Sequence, residues 1–287
     1  MKRLRRPGRA LLSLLLAAGL LGTGLMVLRP DWRYLAGDAL TRWSRSAPLE
    51  EVDREELTLT DYPLESLRGR ADVEENRNLM LINSEHPIHQ GFQPQLEEDG
   101  VMDEAMAEDY AALAGQIEAR FDQSLIVRSG YRTREEQEAT IQQDGETAAS
   151  LDASEHQAGL ALDVCVPGYG GRALLKTEAG RYLNDSCWAY GFIIRYPYYG
   201  REDTGIGYEP WHLRYMGSPH ARIIMENSWT LEEYFRRLEP GAFYRSGDTL
   251  ITRQAGETFR LPEGWKELSM SPDNQGNWVF TLTMEDE

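Results

Sequence analysis

Apolar positions Met106, Tyr110, Leu113, Ile117 and Phe121 recur at intervals of three and four between Asp103 and Phe121, the period of a helix that buries one face. SLIVRSGYR, Ser124 to Arg132, reads as a short buried strand entering a turn. TREE follows as a capping box, with Thr133 as N-cap and Glu136 three positions on, so a second helix begins just past Arg132. GLALDVCVP alternates, placing Leu160, Leu162, Val164 and Val166 on one face of a strand and Ala161, Asp163 and Cys165 on the other. A further helix, Thr177 to Tyr190, ends at Gly191, and FIIRYP continues as a strand. LMLINSEHPI, Leu79 to Ile88, is the first segment apolar enough to be buried. The pattern predicts an α+β domain over residues 76–239, a small and mainly antiparallel sheet flanked by helices.

The two ends differ in texture. After Pro240 come short alternating runs, DTLITR, TFRLP, KELSMS and NWVFTLTM, separated by SGD, PEG and PDNQGN, which predict a small all-β appendage over residues 240–287. At the start, Ala10 to Leu28 is uncharged and follows Lys2, Arg3, Arg5, Arg6 and Arg9. That length spans a bilayer, and the basic flank predicts a cytoplasmic N-terminus with the remainder outside the cell membrane. A cleaved secretory signal is the alternative, but its apolar core is usually shorter and ends in a small-x-small site, where this run meets Arg29 and Pro30. Residues 1–29 therefore read as a basic start and single-pass transmembrane helix. Residues 30–75, rich in Asp, Glu, Arg and Pro with little apolar period, read as an acidic stalk.

The formal net charge of −17 over 287 residues argues against a nucleic-acid partner or a surface for anionic lipid. The acids are spread rather than blocked into a tail, as plain solubility requires. Cys165 and Cys187 leave a disulfide and a pair of buried thiols equally open. Without a second close pair they do not suggest a zinc–cysteine site.

An acid amid the apolar run LALDVCV needs a physical reason, because a buried carboxylate is costly. His156 and Asp163, with His212 further on, would supply the nitrogen and oxygen donors that zinc accepts. Two His and one Asp leave a tetrahedral position for water, the arrangement of catalytic rather than structural zinc. Such chemistry also needs a proton acceptor, and Glu209 precedes His212 by three. In a regular strand those two would face opposite sides, but Pro210 between them implies irregular backbone. Spacing alone also leaves open a surface acid and a core histidine. His86, His89 and His220 lie in contexts that do not suggest ligands.

S-x-H-x-x-G-x-A-x-D at Ser154, His156, Gly159, Ala161 and Asp163, together with E-P-W-H-x-R-Y at Glu209 to Tyr215, resembles the VanY-type D-alanyl-D-alanine carboxypeptidases. These belong to the metallopeptidase group that also includes lysostaphin-like enzymes and the hedgehog signalling domain. SGYRTREEQ, Ser129 to Gln137, and GFIIRYP, Gly191 to Pro197, fit the same family in order, extending the resemblance over roughly residues 79–239. The resemblance implies a hedgehog/D-Ala-D-Ala peptidase-like fold, one zinc ion on His156, Asp163 and His212, and Glu209 as catalytic base. It further implies Arg132 in the cleft for the substrate carboxylate or the oxyanion, and Ser154, Gln137 and Trp211 as substrate contacts; local capping of a turn and a helix is the alternative for Ser154 and Gln137, and a place in the core for Trp211. The implied partner is a peptidoglycan stem peptide ending in D-Ala-D-Ala. An L,D-carboxypeptidase or an endopeptidase would use the same site, and a non-catalytic cell-wall binding module could keep zinc for structure. Glu209 speaks against the last.

Overall fold

The computed structural model describes residues 29–144 and 149–284. The expected anchor, Ala10 to Leu28, lies outside them, and among the described residues no helix is long and apolar enough to cross a membrane.

Pro30 opens the first described helix, Pro30–Thr41, where a missing N–H costs nothing. This helix lies against the domain: the Tyr34 hydroxyl donates to Asp185 at 2.8 Å, and the guanidinium of Arg42 sits 4.6 Å from the centre of the Tyr199 ring. Beyond it come β1 (Glu50–Val52), β2 (Leu59–Pro63), a single helical turn Leu64–Leu67, and β3 (Val73–Glu75).

The central domain carries β4 (Ile126–Ser129), β5 (Ala161–Cys165), β6 (Phe192–Ile194) and β7 (His212–Tyr215), in the order β4-β5-β7-β6 with every pairing antiparallel. The helix Glu104–Phe121 is capped by Asp103, whose side chain accepts from Ala105 N, and buries Met106, Leu113 and Ile117. They pack with Leu162, Val164 and Val166, the apolar face expected of β5. The capping box forms in both directions: Thr133 N donates to Glu136 Oε2 at 2.8 Å and Glu136 N to Thr133 Oγ1 at 3.2 Å, and helix Arg134–Asp144 follows. The helix expected over Thr177 to Tyr190 is Glu178–Ser186, completed by a 3-10 turn, Cys187–Tyr190, before Gly191. Leu79 to Ile88 is buried in part but forms no strand, because its amides bond singly to different partners, Leu79 to Ser271 Oγ and Leu81 to Asp273 O. Cys165 and Cys187 are both buried and free, as the thiol reading holds.

The last part contributes β8 (Phe243–Ser246), β9 (Thr249–Ala255), β10 (Thr258–Pro262), β11 (Trp265–Pro272) and β12 (Asn277–Met284). They form a six-stranded sheet in the order β1-β8-β9-β12-β11-β3, while β10 pairs with β2. Two expectations are thereby corrected. Residues 30–75 are not a stalk, because their strands complete this sheet at both edges and Leu67 is fully buried among Phe243, Phe259, Leu261 and Phe280. Residues 240–287 are not a separate appendage either, because Tyr244, Ile251 and Val279 share one apolar core with Ile193, Ile224 and Tyr234 of the central domain.

Candidate active site

Strand pairing brings the expected ligands together. Asp163 on β5 and His212 on β7 are direct cross-strand partners, and Ser129 of β4 lies opposite Asp163 on its other side. His156 enters from a 3-10 turn, Glu155–Ala158, which ends at Gly159 with φ +73°, where any Cβ would come within 3.0 Å of Leu96. The SGYR loop clamps that turn: Arg132 N donates to His156 O at 3.1 Å, and Nδ1 of His156 meets Gly130 O at 2.8 Å. A side chain at Gly130 would collide with the Val101 carbonyl, so the loop requires glycine there.

One donor atom from each of His156, Asp163 and His212 lies within 4.8 Å of the others. Nε2 of His156 is 3.4 Å from Asp163 Oδ2, and Nδ1 of His212 is 3.1 Å from Asp163 Oδ1. Among the described residues, Asp163 Oδ1 is nevertheless buried without a well-formed hydrogen bond. The donors thus converge on a common point rather than bonding to each other, and the His2Asp set fits zinc. The bond to Gly130 fixes a proton on His156 Nδ1 and leaves the Nε2 lone pair for a metal.

The electrostatics favour a cation at this point. Burial alone would lower the pKa of His212, but Asp163 and Glu155 overcome it and push it up to about 9. Burial likewise opposes ionisation of Asp163, yet His156 and His212 hold that carboxyl far below the usual carboxylate range. Burial lowers His156, keeping its imidazole neutral as a ligand must be. Glu209 Oε2 lies 3.8 Å from His212 Nδ1, and its N–H donates to Tyr196 O at 3.0 Å. Burial lifts the Glu209 carboxyl above its ordinary value; His212 opposes the rise and Asp163 adds to it.

These groups open into a cavity of about 260 Å³, also lined by Arg132, Ser154, Tyr196, Ile206 and Trp211. A larger hollow of about 940 Å³, between β3, β11 and the segment Tyr215 to His220, contains none of the expected site residues.

Residues 100–218 match the family model VanY, D-alanyl-D-alanine carboxypeptidase. The bifunctional D-Ala-D-Ala dipeptidase and D-Ala-D-Ala carboxypeptidase VanXYC of Enterococcus gallinarum is 34% identical over 177 residues, which cover 54% of this chain and 92% of that protein. The chain belongs to the VanY family. A D-alanyl-D-alanine carboxypeptidase of Enterococcus faecium is 35% identical over 183 residues, 56% of this chain, and the match spans 58% of that enzyme's length. Among solved structures, a mutant of the vancomycin resistance D,D-pentapeptidase VanY from a VanB-type cassette, in complex with Zn(II), superposes with a TM-score of 0.50. It is 32% identical, and the match covers 55% of this chain and 98% of that one.

Within this VanY-family site the expected substrate contacts divide. Ser154 is buried and lines the cavity, and its side chain makes no capping bond to the turn that it precedes. Trp211 lines the cavity from the loop before β7. Gln137 is corrected: it is fully buried, its Oε1 accepts from Arg132 Nη1 at 3.2 Å and its Nε2 donates to Ala149 O at 2.8 Å. Its amide is therefore spent on holding Arg132, whose Nε donates to Ser129 Oγ and whose Nη2 lies 3.1 Å from Asp163 Oδ2. Arg195 and Arg214 both bind Glu155. Sequence reasoning missed Glu155 as part of this neighbourhood; the available signal was an acid between Ser154 and His156 in a segment otherwise bound for the interior.

Proposed function

We propose that this chain is a zinc-dependent D,D-carboxypeptidase that removes the terminal D-alanine of peptidoglycan stem peptides. The observation that carries the reading is the convergence of His156 Nε2, Asp163 and His212 Nδ1, with Glu209 Oε2 3.8 Å from His212 Nδ1. Family membership and the Zn(II) complex of the VanY neighbour support it. His156, Asp163 and His212 would hold the ion. Bound there, zinc supplies Lewis acidity and lowers the pKa of water toward about 7.

The chain's own residues account for the remaining steps. Glu209, with its raised affinity for protons, accepts the proton of the attacking water at its carboxylate and returns it to the departing D-alanine amine. Arg132, held by Ser129 and Gln137 beside Asp163, places a fixed cation where negative charge develops on the carbonyl oxygen. Ser154 offers a hydroxyl to the peptide, and Tyr196 and Trp211 wall the cavity. Residues 10–28 are read as the membrane anchor, with the enzyme outside the cytoplasm; the charged flank and apolar length support this, and protease accessibility of intact cells tests it.

Zinc-loaded protein incubated with a pentapeptide stem should release one D-alanine and leave the tetrapeptide. Release of D-alanine from a tetrapeptide stem, or cleavage of cross-linked muropeptides instead, would move the assignment to an L,D-carboxypeptidase or an endopeptidase. Wall binding without any hydrolysis would favour the binding module.

A further inference from the structure

We infer that Glu155 is a positioning residue for the metal centre: its carboxylate accepts a hydrogen bond from Nε2–H of His212, so that this imidazole presents its Nδ1 lone pair to the cation. The inference rests on the metal-site reading above and deepens it. A neutral imidazole has one N–H and one lone pair, so a metal-bound ring must carry its proton on the far nitrogen, and a buried N–H needs an acceptor. For His156 the acceptor is Gly130 O. For His212 the far nitrogen, Nε2, is buried and, among the described residues, has no other partner; Glu155 Oε2 lies 3.5 Å away, equally buried and equally without a partner among them. That separation is the outer limit of a hydrogen bond.

The other carboxylate oxygen shows why Oε2 is free. Oε1 accepts from both Arg195 Nε at 2.6 Å and Arg214 Nη1 at 2.7 Å. These guanidiniums are themselves fixed: Arg195 by Glu232 at 2.6 and 2.9 Å, and Arg214 by the carbonyls of Asn78 and Met80 at 3.0 and 2.7 Å. An acid present only to neutralise two buried arginines has no need to keep one oxygen back. Here both cations grip one oxygen, and the second faces the ligand histidine. A carboxylate behind a ligand imidazole also makes the ring a stronger donor.

The test is zinc affinity of the full chain, measured by chelator competition, for wild type, Glu155→Gln and Glu232→Gln, with folding checked by circular dichroism. Glu232→Gln loosens the same Arg195 network on its side away from the imidazole. The expected result is a loss of about 10–100-fold in zinc affinity for Glu155→Gln and none for Glu232→Gln. Unchanged affinity in Glu155→Gln, or an equal loss in both variants, overturns the inference. Should Glu155→Gln fail to fold, ¹⁵N spectra of the zinc-loaded wild type decide: the His212 proton belongs on Nε2, and finding it on Nδ1 refutes the role. A wild type that binds no zinc defeats the metal reading as a whole, whereas zinc binding that ignores Glu155 defeats only this inference.

Discussion

Nδ1 of His212 lies 3.1 Å from Oδ1 of Asp163 because these two residues face each other across neighbouring antiparallel strands. Register therefore sets ligand spacing, and a slip of one residue would turn one of the two side chains to the opposite face of the sheet. Glu209, the proposed base, stands outside that pairing, on the irregular loop that precedes β7.

This separation of holding and proton transfer can be tested with two variants. His212→Ala should abolish stoichiometric zinc by metal analysis and activity with it. Glu209→Gln should retain zinc and lose about 10²–10⁴-fold in kcat on a pentapeptide substrate. Loss of zinc in Glu209→Gln would make Glu209 a ligand rather than the base.

His220 gives the fold a pH-dependent component. It is buried between the Tyr234 hydroxyl, 2.6 Å from Nδ1, and Thr281 Oγ1, 2.8 Å from Nε2, and burial lowers its pKa from 6.5 to about 3. The unfolded chain therefore binds a proton that the folded chain refuses over that window. The stabilising contribution is complete above pH 6.5 and declines as pH falls toward 3, by about 1.4 kcal/mol per pH unit at full slope. Urea unfolding at pH 7 and 4.5, with chelator present throughout so that metal release does not intrude, should show wild type losing about 2 kcal/mol more than His220→Gln. Equal losses would mean that His220 titrates freely.

Leu67 distinguishes a folded segment from a tether. It is fully buried in the core of the β-rich part, so Leu67→Ala should cost about 2–5 kcal/mol in denaturant unfolding. A stalk position would change stability by less than about 0.5 kcal/mol.

How much of this was legible depended on how local each signal is. The helix Glu104–Phe121, the capping box at Thr133 and Glu136, and the alternation of β5 were readable, because a helical period or a strand alternation repeats within a few residues. That His156, Asp163, Glu209 and His212 meet in one cavity was legible through the family resemblance, whose two short motifs carry all four, while Pro210 signalled the irregular backbone that lets Glu209 and His212 share it. Residues 50–75 were misread because β1 to β3 are short strands with few buried residues, and pairing supplies their stability; Leu67 alone gave no period.

The sequence by itself determined which side chains could bind a divalent cation and which carboxylate could take a proton, since donor chemistry belongs to residue type and the motifs keep those types in order. Only the tertiary structure decided which nitrogen of each histidine faces the common point, that Gln137 serves Arg132, and that Glu155 reaches His212 while both arginines hold its other oxygen. Those are matters of direction across strands far apart in the chain. Direction follows from register and packing, which no single segment contains.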